Sequence, residues 1–286
     1  MRWEGTTMGD LVGAYLRARR AMVRPEDVEL QVGLGWRRVA GLRREELADV
    51  AGMSREYYTR LEQGQSVQPS QQVLRSLARA LLLDTDGTRH LMRLARIDAG
   101  EEELVPARPA AVTRAASALL GSVPSTPAVV VDRNQDIVVA NSLARRIGHD
   151  RVTPSRNLVQ LAFGSVYRRL TPRWVRAAAW AAAALRFYGD PRDARYGEVL
   201  ADVRAAHGER FDAIWDRQEA HGFRLTAVDV PDGEGETRKA LVQGLEISAS
   251  GLHLLVCHAV ESSDHELQDG RGADGSEGDA GLDLVA

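Results

Sequence analysis

Apolar positions in the first hundred residues recur at helical spacing. Leu11, Tyr15, Leu16 and Met22 form one stripe, with Arg17, Arg19 and Arg20 mainly on the wet side, and predict a first helix ending near Arg20. Leu47, Ala48 and Val50 form a second stripe and Tyr57, Tyr58 and Leu61 a third, joined through Ala51-Gly52-Met53. Gly52 permits a tight turn where a β-carbon would crowd, and Ser54 is placed to cap the helix that follows. Pro69-Ser70 precedes Val73, Leu74, Leu77, Ala80 and Leu81, so Ser70 is the expected cap of a fourth helix. Asp84-Thr85 opens a fifth, running through His90, Leu91, Leu94 and Ile97. The pattern predicts an all-α domain over residues 1–98, interrupted by a surface excursion from Pro25 to Gly41.

The pattern then changes. Gly100, the run Glu101-Glu102-Glu103, Pro106 and Pro109 cannot continue a core helix, which makes residues 99–109 a linker. Beyond a helix around Ala115 to Leu120 come two apolar runs, Ala128 to Val131 and Ile137 to Ala140, flanking Asp132-Arg133-Asn134-Gln135-Asp136: a strand pair with a turn. Helical stretches follow at Ser142–Ile147, Asn157–Phe163, Pro172–Phe187 and Ala194–Gln218, then strand-like runs at Phe223–Val230, Ala240–Ile247 and Leu252–Val260. Strands, helices, strands is an α+β order, so residues 110–260 read as a second domain with an antiparallel sheet. Residues 261–286 have few large hydrophobes and are expected to be a disordered acidic tail.

Charge sharpens this division. The net charge of −3 resolves into 16 Arg against 13 acids in residues 1–98, 20 basic against 19 acidic in 99–260, and one Arg against eight acids in the tail. Lys239 is the only lysine, so cationic work falls to Arg, whose planar fork suits phosphates and guanine edges; a genomic bias toward Arg and Ala explains the same count. With 44% hydrophobic and 27% charged residues, no apolar leader at Met1-Arg2-Trp3-Glu4-Gly5 and an Ala-rich run too short to span a bilayer, the expectation is a cytoplasmic, nucleoid-associated protein with no membrane partner. Cys257 cannot form an intrachain disulfide and sits among Leu254, Leu255 and Val256 as a small hydrophobe would.

Residues 43 to 64 have the spacing of a helix-turn-helix that reads DNA. Two amphipathic helices on a glycine turn also occur in bundles that never meet nucleic acid. Small Ala48 and Gly52, four apart where two helices cross, with Leu61-Glu62-Gln63-Gly64 closing the second helix, favour DNA. Ser54, Arg55, Glu56, Thr59 and Arg60 are then the base readers, since Arg can bridge guanine O6 and N7 and Glu can accept from cytosine N4. Arg37, Arg38, Arg43, Arg44 and Tyr58 are the candidate phosphate contacts. One reading helix sees only a few base pairs, so a homodimer on an inverted-repeat operator in double-stranded DNA is expected.

From about Met8 to Ile97 the chain resembles the xenobiotic-response-element helix-turn-helix regulators of Cro and lambda repressor type. Leu42-Arg43-Arg44-Glu45-Glu46, Tyr57 through Gly64, and Gln72-Val73-Leu74 with Leu77 through Leu81 are similar to bacterial regulators whose second half is an MmyB-like domain. The resemblance implies a five-helix lambda-repressor-like domain followed by a PAS-like domain whose sheet and helices enclose an apolar cavity. It also implies transcription regulation. Arg44 stands where many relatives place a Gln, which shifts its role toward phosphate clamping, and Glu62 is expected to be structural.

In the second half the sequence has no Gly-x-Ser-x-Gly, no phosphate-cradling glycine loop followed by Lys and no His pair at metal spacing, so neither an enzyme nor a cofactor is expected. His253 and Cys257 would share a strand face with no third ligand while His258 points away, which favours packing over a metal. Trp174 to Arg186 is a helix of alanines flanked by aromatics, and its small side chains leave room either for a neighbouring helix or for a ligand. The resemblance favours a fatty-acid-like ligand, with Phe163, Trp174, Ala178, Ala181, Leu185 and Trp215 as lining and Arg176 or Arg186 for a carboxylate. One departure is that the stretch Phe223 to Gly244 has no His-Pro pair, which the relatives usually show, and carries the polar loop Pro231-Asp232-Gly233-Glu234-Gly235 instead. The alternative is a DNA-binding regulator whose second half only dimerises or docks a protein.

Overall fold

The computed structural model describes residues 11–28, 30, 39–65, 68–101, 110–148, 151–170, 173–231, 237–247 and 251–259. Arg37 and Arg38, most of the linker, positions 232–235 of the polar loop and the acidic tail lie outside the described residues.

The first unit contains helices α1 (Leu11–Met22), α2 (Arg44–Val50), α3 (Arg55–Glu62), α4 (Gln71–Ala80) and α5 (Thr85–Asp98). Three of them start where a short polar side chain satisfies an otherwise unpaired amide. Ser54 Oγ accepts from Tyr57 at 3.2 Å, Ser70 Oγ from Val73 at 3.3 Å and Asp84 Oδ1 from Gly87 at 2.7 Å. Between α2 and α3 the chain turns at Gly52 with φ +70°, a left-handed conformation that glycine adopts without strain; Gly52 is exposed and a β-carbon there would meet nothing within 4 Å, so the backbone angle, and not the expected crowding at a helix crossing, calls for glycine. Leu16, Leu42, Leu47, Tyr58, Leu77 and Leu91 fill the core. Each such burial contributes roughly 1.5–3 kcal/mol.

A charge lies inside this apolar bundle. Glu62, at the end of α3, is 0% exposed. Arg20 of α1 grips it with Nε to Oε2 at 2.8 Å and Nη2 to Oε1 at 3.0 Å. Arg44 of α2 adds Nε to Oε1 at 2.8 Å, and Arg17 Nη2 donates to the Glu62 carbonyl at 2.8 Å. Burial alone would push this carboxyl up; the Arg20 and Arg44 hydrogen bonds outweigh it and hold the group below its ordinary value. One carboxylate therefore ties three helices together.

The second unit runs α6 (Ala110–Gly121), β1 (Ala128–Asp132), β2 (Ile137–Ala140), α7 (Ser142–Ile147), α8 (Leu158–Phe163), α9 (Ser165–Leu170), α10 (Trp174–Tyr188), α11 (Ala194–His207), α12 (Glu209–Trp215), β3 (Thr226–Pro231), β4 (Thr237–Ile247) and β5 (Leu252–Ala259). The strands form one antiparallel sheet in the order β2-β1-β5-β4-β3. Asp132 Oδ1 accepts from the Asn134 and Asp136 amides, both at 3.0 Å, and so folds the β1–β2 turn on itself. Val129, Val131, Val242 and Leu255 face the helical core, while Val130, Leu252 and Leu254 face Ala116 and Leu120 of α6. This is the PAS-like α+β arrangement expected.

Local differences have local causes. The single helix expected over Ala194–Gln218 is two, α11 and α12, because Gly208 takes φ +48° between them. Helix α9 was not predicted, and α1 continues two residues past Arg20.

Glu62→Gln should destabilise the first unit by about 3 kcal/mol at neutral pH, because it leaves the largely enclosed Arg20 and the half-exposed Arg44 facing an uncharged partner. A carboxyl held below its unfolded value stabilises above that value and loses the contribution as pH falls through its folded one. The gap between wild type and variant in chemical denaturation should therefore be full near pH 7 and shrink below the ordinary glutamate value of 4.5.

Candidate functional site

Two surfaces carry chemistry. The first is the outer edge of α3. Ser54, Arg55, Glu56 and Arg60 are exposed there and Thr59 is half-buried, so all five predicted base readers share one accessible edge. Ser54 Oγ also holds the Tyr57 amide, which fixes the start of the helix that presents the others. Tyr57 and Leu61 pack inward.

The five predicted phosphate residues separate. Arg43 is exposed just before α2, its backbone amide donating to Glu46 Oε2 at 2.6 Å. Arg44 keeps 41% of its side chain exposed while its Nε is held by Glu62, so the guanidinium is positioned from behind. Tyr58 differs from the expectation: it is wholly inside the bundle, where burial and the neighbouring Glu62 charge push its phenol well up, and it cannot reach a phosphate from there. Arg37 and Arg38 lie outside the described residues.

The second surface is concave. Between the sheet and α7, α8 and α10 lies a cavity of about 410 Å³, within the range of small-molecule sites. Ala144, Leu161, Trp180 and Ala181 form its helical wall, and Val129, Val228, Val242 and Leu255 its floor. Its polar side chains are few. Asn157 is spent on Asn134 O and Asp136 Oδ1 at 2.8 and 2.9 Å, and Tyr167 donates to Asp229 O at 2.8 Å. Arg151 and Arg156, both exposed, stand at the rim. Cys257 contributes a thiol that burial raises to about 11, so it is protonated at neutral pH and acts as a hydrophobe.

Of the lining expected from sequence, Ala181 is on the cavity wall. Phe163, Ala178, Leu185 and Trp215 belong instead to the packed core. Phe163 meets the Trp174 and Phe211 rings at 6.1 and 5.4 Å, and Trp215 stacks on Phe211 at 5.4 Å. Arg176 is half-buried off the wall. Arg186 is buried over the Trp215 ring at 3.7 Å, with Nη1 and Nη2 donating to the Glu219 and Trp215 carbonyls. Burial lowers its guanidinium to about 10. The wall residues that sequence reasoning missed, Trp180 above all, neighbour the alanines it singled out. Strands supply Val228 and Val242, whose facing depends on register.

His253 and Cys257 do share a sheet face and His258 lies on the other, exposed. His253 packs 3.9 Å from the Tyr188 ring centroid and burial drops it to about 4, so it is neutral. Among the described residues no group of three His, Cys, Asp or Glu is placed to hold a metal ion, and no helix is long and apolar enough to cross a membrane.

Two family models match. One, described as an MmyB-like transcription regulator ligand binding domain, matches residues 112–268, more than half of the chain. The other, a helix-turn-helix domain, matches residues 11–91. A comparison with curated proteins returns no match.

Replacing Arg55 or Arg60 with Ala should each weaken binding to the preferred duplex by about 1–3 kcal/mol and relax its sequence preference. Arg43→Ala should lower affinity for preferred and random duplexes alike and reduce the salt slope by about 1. Fluorescence anisotropy on both duplexes over a salt series separates the two outcomes.

Proposed function

We propose that this chain, which belongs to the MmyB-like transcription regulators, is controlled by an apolar, anion-headed small molecule of fatty-acyl type bound in the cavity of its second unit. Its helix-turn-helix makes it a DNA-binding regulator. In this reading the unit comprising residues 1–98 reads the operator, 99–109 is the linker, 110–260 binds the ligand and 261–286 is a tail. Arg55, Glu56, Thr59 and Arg60 read bases, and two copies bind an inverted repeat as a homodimer in the cytoplasm.

The observation that carries the ligand reading is the cavity: valines, leucines and alanines line it, and its cations, Arg151 and Arg156, are confined to the rim. An acyl chain would shed water along the apolar walls while its carboxylate stays at the rim among guanidinium donors. Arg186 is removed from that task by its own buried bonds to Glu219 and Trp215. No covalent chemistry is called for.

Mass spectrometry of a denatured extract should find a retained lipid, and tetradecanoate should raise the Tm of the emptied protein. Ala181→Phe, which fills the wall, should abolish that rise. Arg151→Ala with Arg156→Ala should cost tetradecanoate roughly fivefold to tenfold in Kd and leave the alcohol of equal length unchanged. An extract without lipid, together with no thermal response to any acyl compound, favours a second half that only dimerises or docks a protein.

A further inference from the structure

We infer that Arg224 is a latch that joins the cavity wall to the DNA-reading unit, so that occupancy of the cavity changes how firmly α5 is held. The inference deepens the ligand-responsive reading above and rests on it. Trp180 lines the cavity, and its Nε1–H donates to the Arg224 carbonyl at 3.1 Å. The same residue's guanidinium reaches into the first unit: Nη2 bonds Asp84 Oδ2 at 2.6 Å and Nε bonds Asp86 Oδ2 at 3.0 Å. Asp86 Oδ2 also accepts the Gly222 amide at 3.1 Å. One short segment, residues 222–224, thus holds a cavity residue through its backbone and the first turn of α5 through its side chain and amide.

The segment has little slack. Phe223 packs on the Trp180 ring at 5.0 Å and on the Tyr188 ring at 5.2 Å. A β-carbon at Gly222 would lie 2.7 Å from the Tyr188 hydroxyl. Further along α5, Arg93 Nη1 donates to the Phe187 and Gly189 carbonyls, both at 2.8 Å, and so caps the C-terminal end of α10 from the other unit. Helix α5 is therefore fastened both to the end of the helix that walls the cavity and to the segment hydrogen-bonded to that helix's tryptophan. Within its own unit α5 packs against α1, and α1 holds Glu62 of the reading helix through Arg20. A ligand that presses on Trp180 bears on the Arg224 carbonyl, which also accepts from Thr226 Oγ1 at 3.2 Å, and through it on the residue whose guanidinium holds α5. The guanidinium itself is outside the cavity lining, so changing it leaves the ligand's own contacts intact.

The test uses the full chain, tetradecanoate, and a duplex selected by the wild-type protein from random oligonucleotides. Arg224→Gln removes both charge pairs and, from the other unit, Asp86→Asn removes one of them together with the charge that accepts the Gly222 amide; Arg224→Lys restores part of the pairing. Without ligand, hydrogen exchange at the Gly222 amide and the first turn of α5 should quicken roughly tenfold in the Gln and Asn variants and less in the Lys variant. Unchanged exchange overturns the latch, whatever the cavity binds. With tetradecanoate, wild type should change its duplex Kd by a factor in the range of about 5–150 that is usual for coupled sites. Arg224→Gln should bind tetradecanoate at least as tightly as wild type, because no latch opposes the ligand, yet keep that duplex ratio within about twofold of unity. A full wild-type ratio in Arg224→Gln overturns the inference. If wild type neither binds nor responds to tetradecanoate, the ligand reading fails, and the exchange experiment alone decides whether Arg224 joins the two units.

Discussion

Much of the second unit depends on one constraint: α10 is buried along most of its length, so the sheet and neighbouring helices must approach it closely at once. Ala177, Ala178, Ala181, Ala182, Ala183 and Ala184 make that approach possible, because a larger side chain at most of these positions would meet a neighbour already in contact. A helix with room for neighbours on every side can serve two purposes. One face, with Ala177, Trp180 and Ala181, is a cavity wall; the C-terminal end, with Phe187 and Gly189, receives Arg93 from the first unit. Cavity wall and inter-unit contact are thus parts of the same helix.

In the first unit the corresponding element is the Glu62 cluster. A buried carboxylate is weak evidence for stability, since well-packed apolar residues often do as well. Its geometric consequence is firmer. Arg20 and Arg44 must meet Glu62 along defined directions, which sets the angles among α1, α2 and α3 and so the pose of the exposed edge carrying Arg55, Glu56 and Arg60. Base readout by paired hydrogen bonds tolerates little error in that pose. The energy spent on desolvating the cluster is thereby converted into orientation.

The helices of the first unit were legible because their signals are local. Ser54 and Ser70 each occupy the cap that their position before an apolar stripe predicted, Asp84 caps the helix it was read as opening, and Gly52 takes the turn that only glycine takes easily. Strand order was less accessible, since β1 pairs with β5 across more than a hundred residues. The cavity was legible only in kind. A helix apolar on all sides has no polar stripe to say which face is inward, so Phe163, Trp174 and Trp215, the conspicuous aromatics, drew attention that belonged to Trp180 and to the strand valines. Tyr57 and Tyr58 posed the same problem on a small scale: adjacent and alike, one is half-buried and the other wholly enclosed. Arg224 looks in sequence like any solvated arginine, and its role depends on contacts between residues about 140 positions apart.

The strength of the contacts between the units suits a regulator better than a rigid assembly would. Arg224, Asp84 and Asp86 retain 45%, 56% and 17% exposure, so water and salt screen their attraction, and exposed pairs of this kind contribute at most about 1 kcal/mol each. Carbonyl contacts such as those of Arg93 add a similar order each. A sum of a few kcal/mol keeps one arrangement populated while leaving another within reach of binding energy. A ligand with roughly 3 kcal/mol of preference between the two arrangements would shift such an equilibrium more than a hundredfold. An apolar chain in a cavity of about 410 Å³ has that much to give if even part of its buried surface is lost when Trp180 moves.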